Sequence, residues 1–244
     1  MTDLLDTPDG EPLLSVVMPV FNERATVLQT IAAVQASPVE SLELIVVDDG
    51  STDGTREALT STLSNTANVR LIFHEGNRGK GAALRSGFLH ARGRFVVIQD
   101  ADGEYDPAEY PVLLKPLVDG HADVVFGSRF LGGPHRVLYY WHSVANKLLT
   151  HISNMVTDLN LTDMETCYKV FRREVLQQLD LREDRFGIEP EITTKVARLG
   201  VRVFEVPISY KGRTYAEGKK IGVKDAFRAV YCIARYGIKG RWSR

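Results

Sequence analysis

Five short runs, at 14–20, 42–47, 69–73, 94–99 and 122–126, are rich in β-branched residues and largely lack apolar–polar alternation. A strand with one wet face alternates, whereas a strand that does not is covered on both faces, as in a mostly parallel sheet between helices. Helical patterns separate the runs, at 24–36, 52–64, 79–91 and 107–118. Repeated strand–helix units predict an open α/β sheet flanked by helices. Ligands of such sheets sit at the carboxyl ends of the strands, so the residues directly after each run are where chemistry is expected.

Beyond residue 130 the pattern changes. Apolar residues at 138, 141, 144, 145, 148, 149, 152, 155 and 156 keep the helical period. A strand-like segment at 167–171, helices at 173–179 and 190–199 and a strand at 201–206 follow. Last comes an amphipathic helix at 223–238, with Val223, Phe227, Val230, Ala234 and Ile238 on one face and Lys224, Arg228, Arg235 and Lys239 on another. The organisation read from this is a loose acidic tail at 1–12, a body at 13–222 and a basic amphipathic helix and tail at 223–244. With 44% hydrophobic and 25% charged residues in 244, the chain is neither disordered, collagen-like nor a small disulfide scaffold. Cys167 and Cys232 form no CxxC pair, and neither a signal peptide nor 18 uninterrupted apolar residues is found, so the expected location is cytoplasmic. The net charge of −1 hides an asymmetry: residues 211–244 carry +8 and residues 1–210 carry −9. A cationic tail suits an anionic partner such as phosphates, nucleic acid or a lipid surface, although a charge run alone is most simply a solvated helix face.

The strand ends carry the chemistry. The first ends in Pro19-Val20-Phe21-Asn22-Glu23, without the GxGxxG of a dinucleotide fold. The second ends in Asp48-Asp49-Gly50-Ser51-Thr52-Asp53-Gly54-Thr55. Asp53 reads as a helix cap, whereas Asp48 and Asp49, directly after the strand, are placed to accept hydrogen bonds from a ribose or base N–H. Asn77-Arg78-Gly79-Lys80-Gly81 follows the third strand; it fails the P-loop pattern but can present N–H groups to a phosphate at a helix start. The fourth ends in Gln99-Asp100-Ala101-Asp102-Gly103-Glu104. Asp100 and Asp102, two apart, can point at one ligand, and hard oxygen donors suit Mg²⁺ or Mn²⁺ bound together with a diphosphate.

In order and spacing, PVFNE, VVDDGSTDGT, NRGKGAAL and QDADGEYDP resemble family 2 glycosyltransferases of the GT-A fold. Phe126–Phe130 (FGSRF), 162–173 (TDMETCYKVFRR) and 206–210 (VPISY) resemble the branch of dolichyl- and polyprenyl-phosphate sugar synthases. The resemblance covers roughly residues 13–225 and implies a nucleotide-sugar donor, GDP- or UDP-hexose, with inversion at the anomeric carbon. It implies that Pro19, Phe21, Asn22, Glu23 and Asp49 hold the nucleoside, with Asp48, Lys80 and Ala101 in the same donor set. Asp100, Asp102 and Glu104 become the metal ligands; the family commonly has Gln in place of Glu104. Arg129 becomes the grip on the acceptor phosphate, with Ser128 and Glu165 beside it, and Arg213 with Lys219 or Lys220 a basic loop over the diphosphate. A second acceptor arginine is not found at 139–143; His135, Arg136 or His142 could substitute.

Breaking a sugar–phosphate bond builds negative charge on the leaving nucleoside diphosphate, which a divalent ion and fixed cations stabilise. A lipid-phosphate nucleophile is already ionised near neutral pH and needs positioning, here by Arg129. A hydroxyl nucleophile needs a carboxylate base, for which Asp163, Glu165 and Glu189 are candidates that sequence does not rank. The expected function is therefore metal-dependent transfer of a hexose, mannose or glucose, to a polyprenyl phosphate, with a soluble or cell-envelope hydroxyl acceptor as the alternative. The helices at 138–156 and 223–238, with Trp141 and Trp242, either lie on an anionic membrane surface or pack on the sheet; amphipathicity does not separate the two. A nucleic-acid partner is not expected, because no base-reading motif accompanies the basic tail and the aspartate motifs would go unused.

Overall fold

The computed structural model describes residues 11–64, 66–137, 139–214, 217 and 223–238. Along the chain run β1 (Leu14–Val20), α1 (Val27–Gln35), β2 (Leu42–Asp48), α2 (Thr55–Leu63), β3 (Val69–Phe73), α3 (Lys80–Phe88) and β4 (Phe95–Ile98). A 3₁₀ turn (Pro107–Glu109), capped by the Asp106 carboxylate, leads into α4 (Tyr110–Val118). Then come β5 (Val124–Ser128), α5 (Tyr140–Thr157), β6 (Lys169–Arg172), α6 (Arg173–Leu176), α7 (Ile188–Leu199), β7 (Val203–Pro207) and α8 (Val223–Ile238).

The seven strands form one sheet in the order β3-β2-β1-β4-β6-β5-β7. β4–β6 and β5–β6 are antiparallel, and the other four pairings are parallel. The mostly parallel α/β sheet expected from the unalternating runs is thus the one found. β1, β2, β4 and β5 are buried along nearly their whole length, because α1–α4 cover both faces. The order reverses at β1: β2 and β3 extend to one side of it and β4 lies on the other. Such a reversal opens a crevice at the carboxyl ends of the strands, where the aspartate motifs lie. Gly87 fixes the closeness of α3, since a Cβ there would strike Val17 in the sheet.

The structure settles which side of two helices faces the body, a choice amphipathicity left open. α5 buries Thr150 and Ser153, while Trp141 is 75%, Leu148 57% and Met155 63% exposed. α8 packs against α5 and α7 through Ala229, Cys232, Ile233 and Tyr236, while Phe227 is 74% exposed and Val230 and Tyr231 also face outward. Of the apolar stripe of the last helix, Phe227, Val230 and Ala234 therefore lie on its outer face, and they do not pack on the sheet. The physical reason is in the partner: Glu183 accepts from Arg228 (2.6 Å) and the Tyr236 hydroxyl (2.8 Å), pinning the small and polar side of α8 to the body. Trp242, Lys239 and the side chain of Lys224 lie outside the described residues. No helix among the described residues is long and apolar enough to cross a membrane.

Candidate active site

Two cavities meet at the crevice. The first, of about 560 Å³, lies over the ends of β1, β2 and β4 and is lined by Pro19, Phe21, Glu23, Asp49, Lys80, Ala101 and both aspartates of the DxD pair, among others. The second, of about 780 Å³, lies between α5, the 129–137 segment and the start of α8, and is mostly apolar. Arg129, Glu165, Phe186, Tyr210 and Asp225 line both.

At the end of β2 the paired aspartates part company, because successive side chains of a strand point to opposite faces. Asp49 faces the first cavity. It accepts from the backbone N–H groups of Arg78 (3.0 Å) and Gly79 (2.6 Å) and bonds His74 Nδ1 (2.7 Å). Asp48 is fully buried on the other side, accepting from Arg56 Nε at 2.8 Å. Its expected donor contact is corrected: it anchors α2 and does not line the cavity. Asn22 is corrected likewise. At φ 52° its amide donates to Ser51 Oγ (2.9 Å) and its side-chain oxygen accepts from the Thr52 N–H (2.8 Å), so it ties β1 to the Ser51 turn rather than lining the cavity. His74, for which sequence alone offers no role, bridges Asp49 and Ser86 Oγ (2.9 Å) and buttresses the aspartate. The register Asp48↔Phe73 places His74 beside Asp49, which is the signal that identifies it once the strands are paired.

The β4 end carries a charge ladder. Lys80 Nζ lies 2.9 Å from Asp100 and 3.1 Å from Glu189, and buried Lys169 pairs with Glu189 in turn. Arg213 bridges Glu23 (3.0 Å) and Asp102 (3.0 Å), and its backbone N–H donates to Glu104 (2.6 Å). The Tyr210 hydroxyl donates to the other Glu104 oxygen (2.7 Å). Burial, with Asp100 and Glu104 alongside, pushes the Asp102 carboxyl up to about 7. Among the described residues no three His, Cys, Asp or Glu side chains converge to hold a cation. The expected Asp100–Asp102–Glu104 set is therefore not preassembled: Glu104 is turned to the 210–213 segment, which satisfies it.

Near the second cavity, Arg129 grips Asp163 through Nε (2.6 Å) and Nη2 (2.7 Å). Asp163 also accepts from the Arg129 N–H (3.2 Å) and Asn146 Nδ2 (3.0 Å), so four donors occupy the four lone-pair positions of a carboxylate. These contacts outweigh burial and hold its carboxyl below the usual range. The expectation of Asp163 as a base is corrected: it is fully buried and committed to positioning Arg129. Ser128, placed with the acceptor in the sequence reading, is buried and bonded to Thr162 Oγ1 (2.6 Å) and the Phe130 N–H (3.1 Å), and lines neither cavity. Of the three base candidates, Glu189 is paired to two lysines and Asp163 to Arg129, which leaves Glu165 as the one without an ion pair among the described residues. His135, Arg136 and His142 line the second cavity, and so does Lys147, which the sequence reading missed. Lys147 follows Asn146 on α5, and only its place above the Phe130 ring, at 5.8 Å, identifies it. Lys219 and Lys220 lie outside the described residues.

Comparison with known proteins matches residues 15–180 to the family model described as Glycosyl transferase family 2. The chain is 30% identical to an undecaprenyl-phosphate mannosyltransferase of Micrococcus luteus, over 93% of this chain and 94% of that one. It is 32% identical to a polyprenol monophosphomannose synthase of Mycolicibacterium smegmatis, over 94% and 88%. Among solved structures it is similar to glucosyl-3-phosphoglycerate synthase of Mycobacterium tuberculosis in complex with Mn²⁺, UDP and glucosyl-3-phosphoglycerate, with a TM-score of 0.71 at 22% identity over 93% and 80% of the two chains. That likeness is one of fold, and the fold is GT-A.

Proposed function

The chain belongs to glycosyl transferase family 2 and is a glycosyltransferase, and from that premise we propose that it moves a hexose from a nucleotide diphosphate sugar to a polyprenyl phosphate, with inversion and with a divalent cation. The observation that carries this reading is the meeting of a carboxylate-rich cavity with a larger, mostly apolar one whose rim is basic. The first suits a nucleoside diphosphate and its metal; the second suits a hydrocarbon chain that ends in a phosphate. The relatives named for undecaprenyl-phosphate and polyprenol substrates support the same acceptor.

Eight carboxylate side chains and four cationic ones line the first cavity. A bare diphosphate would be repelled there, and the hard oxygens of Asp100 and Asp102 fit Mg²⁺ or Mn²⁺ that shares its remaining positions with diphosphate oxygens. When bound, such an ion supplies charge stabilisation to the leaving diphosphate. The chain's own residues supply the rest. Asp49, held by three donors, presents a fixed acceptor edge to the nucleoside; Pro19 and Phe21 wall its site. Lys80 and Arg213, each clamped between carboxylates, are cations set along the path of the leaving group, where fixed charge needs no reorganisation. Arg129, locked by Asp163 and stacked over the Tyr210 ring at 5.1 Å, has its Nη1 side left to aim at the acceptor phosphate.

Membrane contact belongs to the same reading. Trp141, Leu148, Phe227 and Val230 are exposed on α5 and α8, the two helices that also supply residues to the wall of the apolar cavity, and apolar outer faces on amphipathic helices suit an interfacial position on a cytoplasmic leaflet. The test is transfer from UDP- and GDP-hexoses to a short polyprenyl phosphate with Mn²⁺ or Mg²⁺. We expect transfer with one nucleotide, its loss in chelator, and its loss in Asp100→Ala and Asp102→Ala with the fold retained by circular dichroism. Full activity of either variant in chelator would refute the metal assignment.

A further inference from the structure

Glu165 stands on the segment between α5 and β6, in the wall that the two cavities share. Its Oε1 is shut off from solvent and has no hydrogen-bond partner among the described residues. The two cations that act on it most, Lys169 and Arg129, are already matched, while Arg185 lines the first cavity and His135, Arg136, His142 and Lys147 line the second. Arg129, after β5, is neutralised by Asp163. Lys169, on β6, is neutralised by Glu189 of α7. Phe186, Tyr210 and Asp225 complete the shared wall, and none of them adds a cation. Burial, with Glu189 alongside, pushes the Glu165 carboxyl up to about 7. A carboxyl with no ion pair among the described residues and one oxygen enclosed, in the wall where an anionic nucleophile would enter, is repulsive when ionised and a hydrogen-bond donor when protonated.

We infer that Glu165 enters the complex protonated and donates its proton in a hydrogen bond to an oxygen of the acceptor's phosphate monoester, so that carboxyl and phosphate hold one proton between them. This rests on the polyprenyl-phosphate reading and deepens it: Glu165 is the residue that makes the site specific for a phosphate monoester over a hydroxyl. In the transfer step a second phosphate oxygen gives its lone pair to the anomeric carbon. The bond from that carbon to the donor diphosphate breaks, and its electron pair leaves with the diphosphate. The product is a phosphodiester with one negative charge, and the proton stays on Glu165, so no general base is consumed. Once pH rises above the point at which the pair loses its shared proton, two anions face each other and acceptor affinity falls. The coupled pair titrates as a unit, and one required proton means about a tenfold loss per pH unit.

The test measures acceptor KM and kcat for the full chain from pH 6 to 9, with a short polyprenyl phosphate and saturating nucleotide sugar and Mn²⁺. In the native protein KM is expected to rise about tenfold per unit above roughly pH 7.5 while kcat changes little. Glu165→Gln keeps a donor without a titrating proton; its KM is expected to be flat with pH and, at pH 8.5, about tenfold below that of the native protein. A second measurement needs no variant: calorimetric titration of farnesyl phosphate at pH 8 in two buffers of different ionisation enthalpy is expected to show uptake of about one proton. The inference is overturned by an unchanged KM slope in Glu165→Gln, by zero proton uptake, or by a kcat loss of about 100-fold or more in Glu165→Gln at constant KM, which is the mark of a general base. Absence of transfer to polyprenyl phosphate from every nucleotide sugar would instead overturn the acceptor reading itself.

Discussion

Replacing Asp163 by alanine strips the Arg129 guanidinium of its counterion in a largely buried setting. The Asp163 side chain is fully buried and that of Arg129 only 15% exposed. Removing one partner of such a pair leaves an uncompensated buried charge, which costs about 3–5 kcal/mol. For a chain of this size each kcal/mol lowers Tm by roughly 2–4 °C, so a fall of roughly 6–20 °C is expected. Urea denaturation followed by circular dichroism reads the loss directly. The pH dependence has a definite sign. Arg129 holds the Asp163 carboxyl below its usual range, so the aspartate stabilises the fold fully above about pH 4 and less as pH falls further. The gap between native protein and Asp163→Ala should therefore narrow in acid and stay constant from pH 5 to 8. The paired replacement Arg129→Met with Asp163→Leu should recover most of the stability, because an apolar pair of similar volume can replace a buried ion pair, yet it should transfer no sugar. A cost of Asp163→Ala below about 1 kcal/mol, the range of an exposed pair, would refute the claim that this contact is a desolvated clamp and with it the argument that Arg129 is held ready for the acceptor.

Two further outcomes are expected. A Cβ on Gly81 would strike the Glu183 carbonyl oxygen, whereas one on Gly120 meets nothing and bears only its φ of +76°; Gly120→Ala should cost about 1–2 kcal/mol and Gly81→Ala clearly more, and thermal melts with the reverse order would refute the close approach of α3 to the Glu183 segment. Trp141→Ser with Phe227→Ser should weaken cosedimentation with anionic liposomes at low salt without lowering Tm, since both side chains are outward; equal binding would refute the interfacial role of this face.

The sheet was legible because its signal is local: unalternating apolar runs can be covered only on both faces. The site was legible where spacing determines direction. Asp100 and Asp102, two apart at a strand end, do share a side, and both line the cavity. The adjacent pair Asp48 and Asp49 carries an ambiguity that spacing cannot resolve, because one of two successive residues must face away, and which one depends on where α2 packs. Asp163, Glu165 and Glu189 carry no rank in the sequence for another reason. What separates them is who their partners are, namely Arg129, no cation, and the two lysines Lys80 and Lys169, and those contacts join residues far apart in sequence.

α5 and α8 show what periodicity leaves open. A 3.6-residue apolar period states that a helix has an apolar face; it does not state what lies against it. On α5 the fully buried positions are small or polar, Thr150 and Ser153, and one of the two hydroxyls does local work: Thr150 Oγ1 accepts from the Met164 N–H (3.1 Å). That bond helps hold the segment carrying Asp163 and Glu165 in place. The same helix thus fixes the residues of the acceptor site with its inner side and offers Trp141 and Leu148 with its outer side. Under the proposed function these two duties are one: a lipid whose tail stays in the bilayer can deliver its phosphate to Arg129 only if the wall of the cavity is also the surface that meets the membrane.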